Sequence, residues 1–250
     1  MEIIASHGVV LLALACAFGL FMAWGIGAND VANAMGTSVG SKALTIKQAI
    51  LIAMVFEFAG AYLAGGEVTS TIRKGIVDSA VFTDQPDLLV FGMLSALLAA
   101  GTWLAVASYM GWPVSTTHSI VGAIVGFAAV GVSYDAVNWT KVSTIVASWV
   151  VSPVMAGTIS FAIFRSVQRL ILIQDNPFDR AKKYAPMYMF AVGFLMAMVT
   201  LLKGLKHVFK DIGIKLSYGE NVLVAIDFGI FVTIIGTYLL SKVERDTSKE

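Results

Sequence analysis

Residues 25–41, GIGANDVANAMGTSVGS, set two amides and a carboxylate into an otherwise apolar stretch. Asn29 and Asn33 are four residues apart and Asp30 precedes Asn33 by three, so on a helix their oxygens can converge on one side. Oxygen ligands with a single negative charge suit Na+ or a proton better than a transition metal, which would prefer His or Cys. Asp30, with Asn29 and Asn33 beside it, is therefore a candidate cation ligand. Gly25, Gly27, Gly36 and Gly40 flank the cluster, so the helix can break there and expose backbone groups. The alternative is a glycine-rich helix end from which Asp30 only reaches water.

A second polar stretch, GWPVSTTHSIVGAIVG at 111–126, puts Pro113 ahead of Ser115, Thr116, Thr117, His118 and Ser119, and an apolar run follows. Proline suits a helix start, which would place the hydroxyls in the first turn. The positive end of a helix, its free N–H groups and hydroxyl donors together make an anion site, fit for a tetrahedral oxyanion that must leave again because no Lys or Arg holds it. Ordinary capping is the plainer reading of the same residues. Gly122 and Gly126 form a small-xxx-small pair and predict a helix contact. Glu57, in the middle of an apolar window, is costly if ionised there. It could bind a cation, take up a proton, or pair with a polar group that holds helices together.

These residues need elements to position them. Of 250 residues, 58% are hydrophobic and 13% charged, about half the charged fraction of an average soluble domain. The apolar residues gather in seven segments, near 8–27, 48–66, 88–110, 112–130, 141–164, 185–203 and 221–241, most of them near the roughly 20 residues that cross a bilayer. Backbone satisfaction in lipid favours helices for all of them, so the expected fold is an all-α polytopic transmembrane bundle with a discontinuous helix or re-entrant hairpin. Residues 1–241 read as the transmembrane domain and 242–250 as the start of a polar loop or tail. Loop lysines and arginines place the N-terminus and the 67–87 loop outside, provided that 112–130 crosses fully; Lys203, Lys206, Lys210 and Lys215 stand against that reading.

A net charge of +1 gives no global field for nucleic acid. Cys16 is the single cysteine and cannot form an internal disulfide. No P-loop, GxSxG or HExxH organises an enzyme.

At these residues the sequence resembles the PiT family of inorganic phosphate transporters, the type III sodium-phosphate cotransporters. The resemblance is carried by GANDVANAMGTSVGS at 27–41, FEFAGAYLAG at 56–65 and GWPVSTTHSIVGAIVG at 111–126, and more weakly by SWVVSPVMAG at 148–157. It implies a multi-pass secondary transporter of the cell membrane that moves phosphate with Na+ or H+, has no other cofactor, and is built from two inverted repeats. By the same resemblance, Asn29, Asp30, Asn33 and Glu57 fall at the cation-binding positions, with Asp30 on Na+ where sodium couples, and Ser115 through Ser119 at the phosphate-binding ones. Each signature occurs once, so the chain reads as one half of such a transporter, whose expected partners are phosphate, membrane lipid, and a homodimer mate or a second-repeat chain. A permease for sulfate or a related oxyanion, and a non-transporting membrane subunit, are the alternative readings.

Overall fold

Long uninterrupted apolar windows leave little choice but helix, and helix dominates the computed structural model, which describes residues 2–73, 75–77, 82–83 and 85–244. The elements in order are α1 (Glu2–Gly40), α2 (Ile46–Arg73), α3 (Pro86–Tyr109), α4 (Thr116–Gly131), a 3-10 turn (Tyr134–Ala136), α5 (Trp139–Val167), α6 (Pro177–Val199), α7 (Lys206–Asp211) and α8 (Tyr218–Ser241). π-helical turns extend α5 over Gln168–Leu172 and α6 over Thr200–Gly204. Among the described residues the only β pairing is an isolated bridge between Val77 and Val137. The fold is an all-α polytopic membrane fold.

Among the described residues six helices are long and apolar enough to cross a membrane, one fewer than the seven apolar segments. The difference is α4, whose 16 residues extend about 24 Å at 1.5 Å per residue, short of a hydrocarbon core of roughly 30 Å. α2 runs on to Arg73 and so takes up the start of the 67–87 loop; residues 74, 78–81 and 84 of that loop, and 245–250 of the polar tail, lie outside the described residues.

The chain forms two compact units, residues 1–61 with 68–146 and residues 62–67 with 147–250. In the first, α1 packs on α3 and α3 on α4. Their core is Met22, Ala100 and the fully buried Leu104, against which Ile26, Leu97, Val114, Ile120 and Ala123 pack. Glycines make this approach possible: a Cβ on Gly25 would stand 3.0 Å from Leu104 Cβ, and one on Gly101 would stand 2.9 Å from the Phe21 ring and 3.4 Å from Met22 Cα. The ring of Phe127 lies directly against Gly92 and ties α4 to α3.

In the second unit α6 packs antiparallel on α8 through another glycine pair, with a Cβ on Gly193 falling 3.2 Å from Gly229 Cα. The Ser166 and Tyr188 hydroxyls bond at 2.7 Å, and Lys182 Nζ donates to the Val243 carbonyl at 2.8 Å. A reciprocal Ser217–Glu220 capping box opens α8, satisfying two of its free N–H groups.

Two glycine expectations are overturned. α1 stays helical through Gly25, Gly27, Gly36 and Gly40, and its one non-helical residue is His7, at φ −124° and ψ 17°. Gly25 serves close packing, which asks for the same missing Cβ as a helix break. Gly122 and Gly126 meet nothing within 4 Å of an added Cβ among the described residues, where the small-residue contacts are made by Gly25, Gly101, Gly193 and Gly229 instead.

Gly101→Val should therefore lower the thermal midpoint of the chain in a bilayer mimic, since overpacking against Phe21 and Met22 costs about 1–3 kcal/mol. Gly122→Ala, which meets open space in mid-helix, should leave the midpoint unchanged or raise it.

Candidate functional site

The site lies where α3 stops and α4 starts. α3 ends in a Schellman arrangement: Trp112 N–H donates to the Ala107 carbonyl at 2.8 Å and Gly111 N–H to that of Ser108 at 3.2 Å. This needs the left-handed φ of +70° at Gly111, which only glycine adopts without penalty. Pro113 then prevents the chain from resuming a helix at once. α4 begins at Thr116 with Ser115 as its N-cap, the Ser115 hydroxyl accepting from His118 N–H at 3.3 Å. The Ser119 hydroxyl donates back to the Ser115 carbonyl at 2.8 Å. The sequence thus delivers a helix start at the hydroxyl cluster, with Thr117 and His118 exposed.

α1 presents its polar residues to this break. Asn29 is buried, one of two buried polar residues among those described. Its Nδ2 donates to the Trp112 carbonyl at 2.9 Å and to Ser108 Oγ at 3.4 Å, and its Oδ1 accepts from Val114 N–H at 3.2 Å and from Asn33 Nδ2 at 3.4 Å. Asp30, half-buried, accepts the Thr116 hydroxyl on Oδ2 at 2.8 Å. The two motifs, 86 residues apart, are joined by that bond. A pocket of about 250 Å³ opens on the Asn29 and Asn33 side of α1, lined by Ala28, Asn29, Ala32 and Asn33 and by Ser108, Gly111, Trp112 and Pro113, with neither Asp30 nor Thr116 in its lining.

Chemically, a carboxylate stands at the positive end of α4, the place that best stabilises negative charge. The three oxygens expected on one side of α1 divide: Asp30 turns to Thr116, whereas Asn29 and Asn33 bond to one another. Glu57 is exposed on α2, and no hydrogen bond joins it to this cluster. Among the described residues no three His, Cys, Asp or Glu side chains converge, so a cation at Asp30 would complete its shell with hydroxyl, amide and carbonyl oxygens, as a hard ion accepts.

Sequence reasoning passed over Ser108 and the backbone of Trp112 and Val114, because one serine in an apolar helix is ordinary and a linker backbone group leaves no mark in residue identity. It also passed over Asp227, an exposed carboxylate in the middle of α8. The signal was there, an acidic residue in the run LVAIDFGIF.

Comparison with known proteins agrees with this architecture. A model described as the phosphate transporter family matches residues 26–242. "Putative phosphate permease" of Haemophilus influenzae is 50% identical over 238 residues, 95% of this chain and 55% of that protein. "Inorganic phosphate transporter 2-1, chloroplastic" of Arabidopsis thaliana is 53% identical over 173 residues, 69% of this chain and 30% of its own length. A solved structure described as "The sodium-dependent phosphate transporter" superposes with a TM-score of 0.82 at 38% identity, over 96% of this chain and 58% of that one. The chain spans about half the length of the permease and of the solved protein. The motifs, the helical fold and the family match converge: this chain is a multi-pass membrane protein that belongs to the phosphate transporter family, a family of transporters and not of enzymes.

Proposed function

We propose that this chain supplies one phosphate-binding and cation-binding half of a secondary transporter, with the cation at Asp30 and the anion at the first turn of α4. The observation that supports the reading is the 2.8 Å bond from Thr116 Oγ1 to Asp30 Oδ2, by which an acidic side chain meets the hydroxyl-rich helix start. Asn33 and Glu57 are further candidates for the cation, and Ser115, Thr117, His118 and Ser119 for the anion.

The sign of the coupling follows from Coulomb's law. Two like unit charges about 4 Å apart repel by roughly 4 kcal/mol at an effective dielectric near 20, so phosphate beside a bare Asp30 carboxylate is disfavoured. A cation on Asp30 removes that repulsion and adds attraction, and by reciprocity the anion holds the cation. It also releases the Thr116 proton, which is committed to Asp30 until the cation takes its place. Na+ is the favoured coupling ion, supported by the sodium-dependent transporter whose structure this chain matches and by the all-oxygen surroundings of Asp30. The remaining donors come from a second repeat, in keeping with the half-length match. Phosphate is favoured over sulfate by the family, and HPO4(2−) has a proton that it can donate to an acceptor at the site.

Labelled-phosphate binding to the chain in nanodiscs should strengthen at least tenfold with saturating Na+, and Asp30→Asn should reduce that enhancement to less than twofold. Equal affinity with and without Na+ or a proton, or displacement by sulfate as effective as by phosphate, would overturn the assignment.

Thr116→Val removes one charge-assisted bond, worth about 1.5–3 kcal/mol. Phosphate affinity at saturating Na+ should fall about tenfold or more, and Thr116→Ser, which keeps the hydroxyl, should restore most of it in the same binding assay.

A further inference from the structure

An asparagine carboxamide offers two N–H donors and two acceptor lone pairs. All four are engaged at Asn29: Nδ2 donates to the Trp112 carbonyl and Ser108 Oγ, and Oδ1 accepts from Val114 N–H and Asn33 Nδ2. The residue is only 5% exposed. In this arrangement no lone pair is left for an ion.

What Asn29 bonds is equally telling. The Trp112 carbonyl and the Val114 N–H flank Pro113, which has no N–H of its own. These two groups belong to neither helix: the α3 end-turn uses the N–H groups of Gly111 and Trp112, and the α4 cap begins at Ser115. One side chain therefore closes the backbone on both sides of the proline. It stands one residue before Asp30, and Val114 stands two before Thr116, so the clamp and the Asp30–Thr116 bond are coupled through short, stiff pieces of chain. Val114 is also packed against the Met22–Leu104 core, which leaves the linker little freedom except at the bonds that Asn29 supplies.

We propose that Asn29 is a positioning residue, not an ion ligand: its carboxamide fixes the Trp112–Val114 backbone and thereby sets how the first turn of α4 meets Asp30. The effect on ligand binding rests on the function proposed above; the clamp itself does not.

The test pairs a structural readout with a functional split, on the full chain in nanodiscs. Hydrogen–deuterium exchange over residues 112–119 should speed up at least tenfold in Asn29→Ala, and by less in Ser108→Ala, with the double variant no faster than Asn29→Ala alone. Labelled phosphate at saturating Na+ should bind at least tenfold more weakly to Asn29→Ala, whereas 22Na+ binding without phosphate should change less than twofold. Unchanged exchange over 112–119 would overturn the proposal, and so would a tenfold loss of Na+ affinity with exchange unaltered, the signature of a direct ion ligand. Should Asn29→Ala fail to fold, Ser108→Ala decides by the same exchange comparison, with faster exchange expected and unchanged exchange overturning. If the unmodified chain binds no phosphate at all, the proposed function falls, and the exchange comparison alone decides the role of Asn29.

Discussion

Where a proline interrupts a helical hairpin, the backbone on either side of it has to find partners outside the regular ladder, and in a membrane protein water is a poor substitute. Much of the first unit is arranged around that need. Gly111 turns the end of α3 back on itself, Ser115 caps α4, and the groups between them are met from α1 by the Asn29 side chain. A helix must therefore pass beside the break at the right height, and α1 does so because, beyond the kink at His7, it stays helical to Gly40. The hydrogen-bond requirement of one short linker thus fixes the position of the longest helix.

The close approach of α1 to α3 serves the same end. Side-chain hydrogen bonds from Asn29 to Ser108 and Trp112 reach only when the helix axes are near, and Gly25 and Gly101 remove the Cβ atoms that would hold them apart. Leu104 fills the space between and is fully buried. Without water-driven burial to press helices together in lipid, such small-residue contacts and polar bonds provide most of the attraction. Packing and polar chemistry are here parts of one interface, since the glycines set the distance and the amide uses it.

Much of this was legible in the residues. The apolar windows gave the spanning helices because few other structures suit that composition, and Pro113 followed by hydroxyl residues gave the start of α4, with Ser115 at its cap. Less legible was the use of each polar group. Spacing said that Asn29, Asp30 and Asn33 share a side of α1, but a difference of one residue turns a side chain by about 100°. That rotation sends Asn29 to the linker and Asp30 to Thr116. Gly25 was read as a break because a missing Cβ serves flexibility and close packing alike, and only the neighbour, Leu104, distinguishes them. The length of α4 was obscured because its apolar run merges with the linker, and Asp227 escaped notice because no second polar residue stands beside it.

The Asp30–Thr116 bond has a consequence for the order of events. A carboxylate at the helix start already occupies, electrostatically, the position that an oxyanion would seek, and it engages one of the donors that the oxyanion needs. An anion bound there, as the proposed function has it, would compete with Asp30 for the same positive end until something neutralised the carboxylate. Under the proposed function, Na+ would do so while leaving Asp30 an acceptor, and the Thr116 hydroxyl would then be free to turn toward the anion. A proton also neutralises it but converts Asp30 into a donor, so that the anion gains a hydrogen bond from the carboxyl itself. In the proposed function the two coupling ions therefore imply different donors to the same phosphate, the Thr116 hydroxyl with Na+ and the Asp30 carboxyl with a proton.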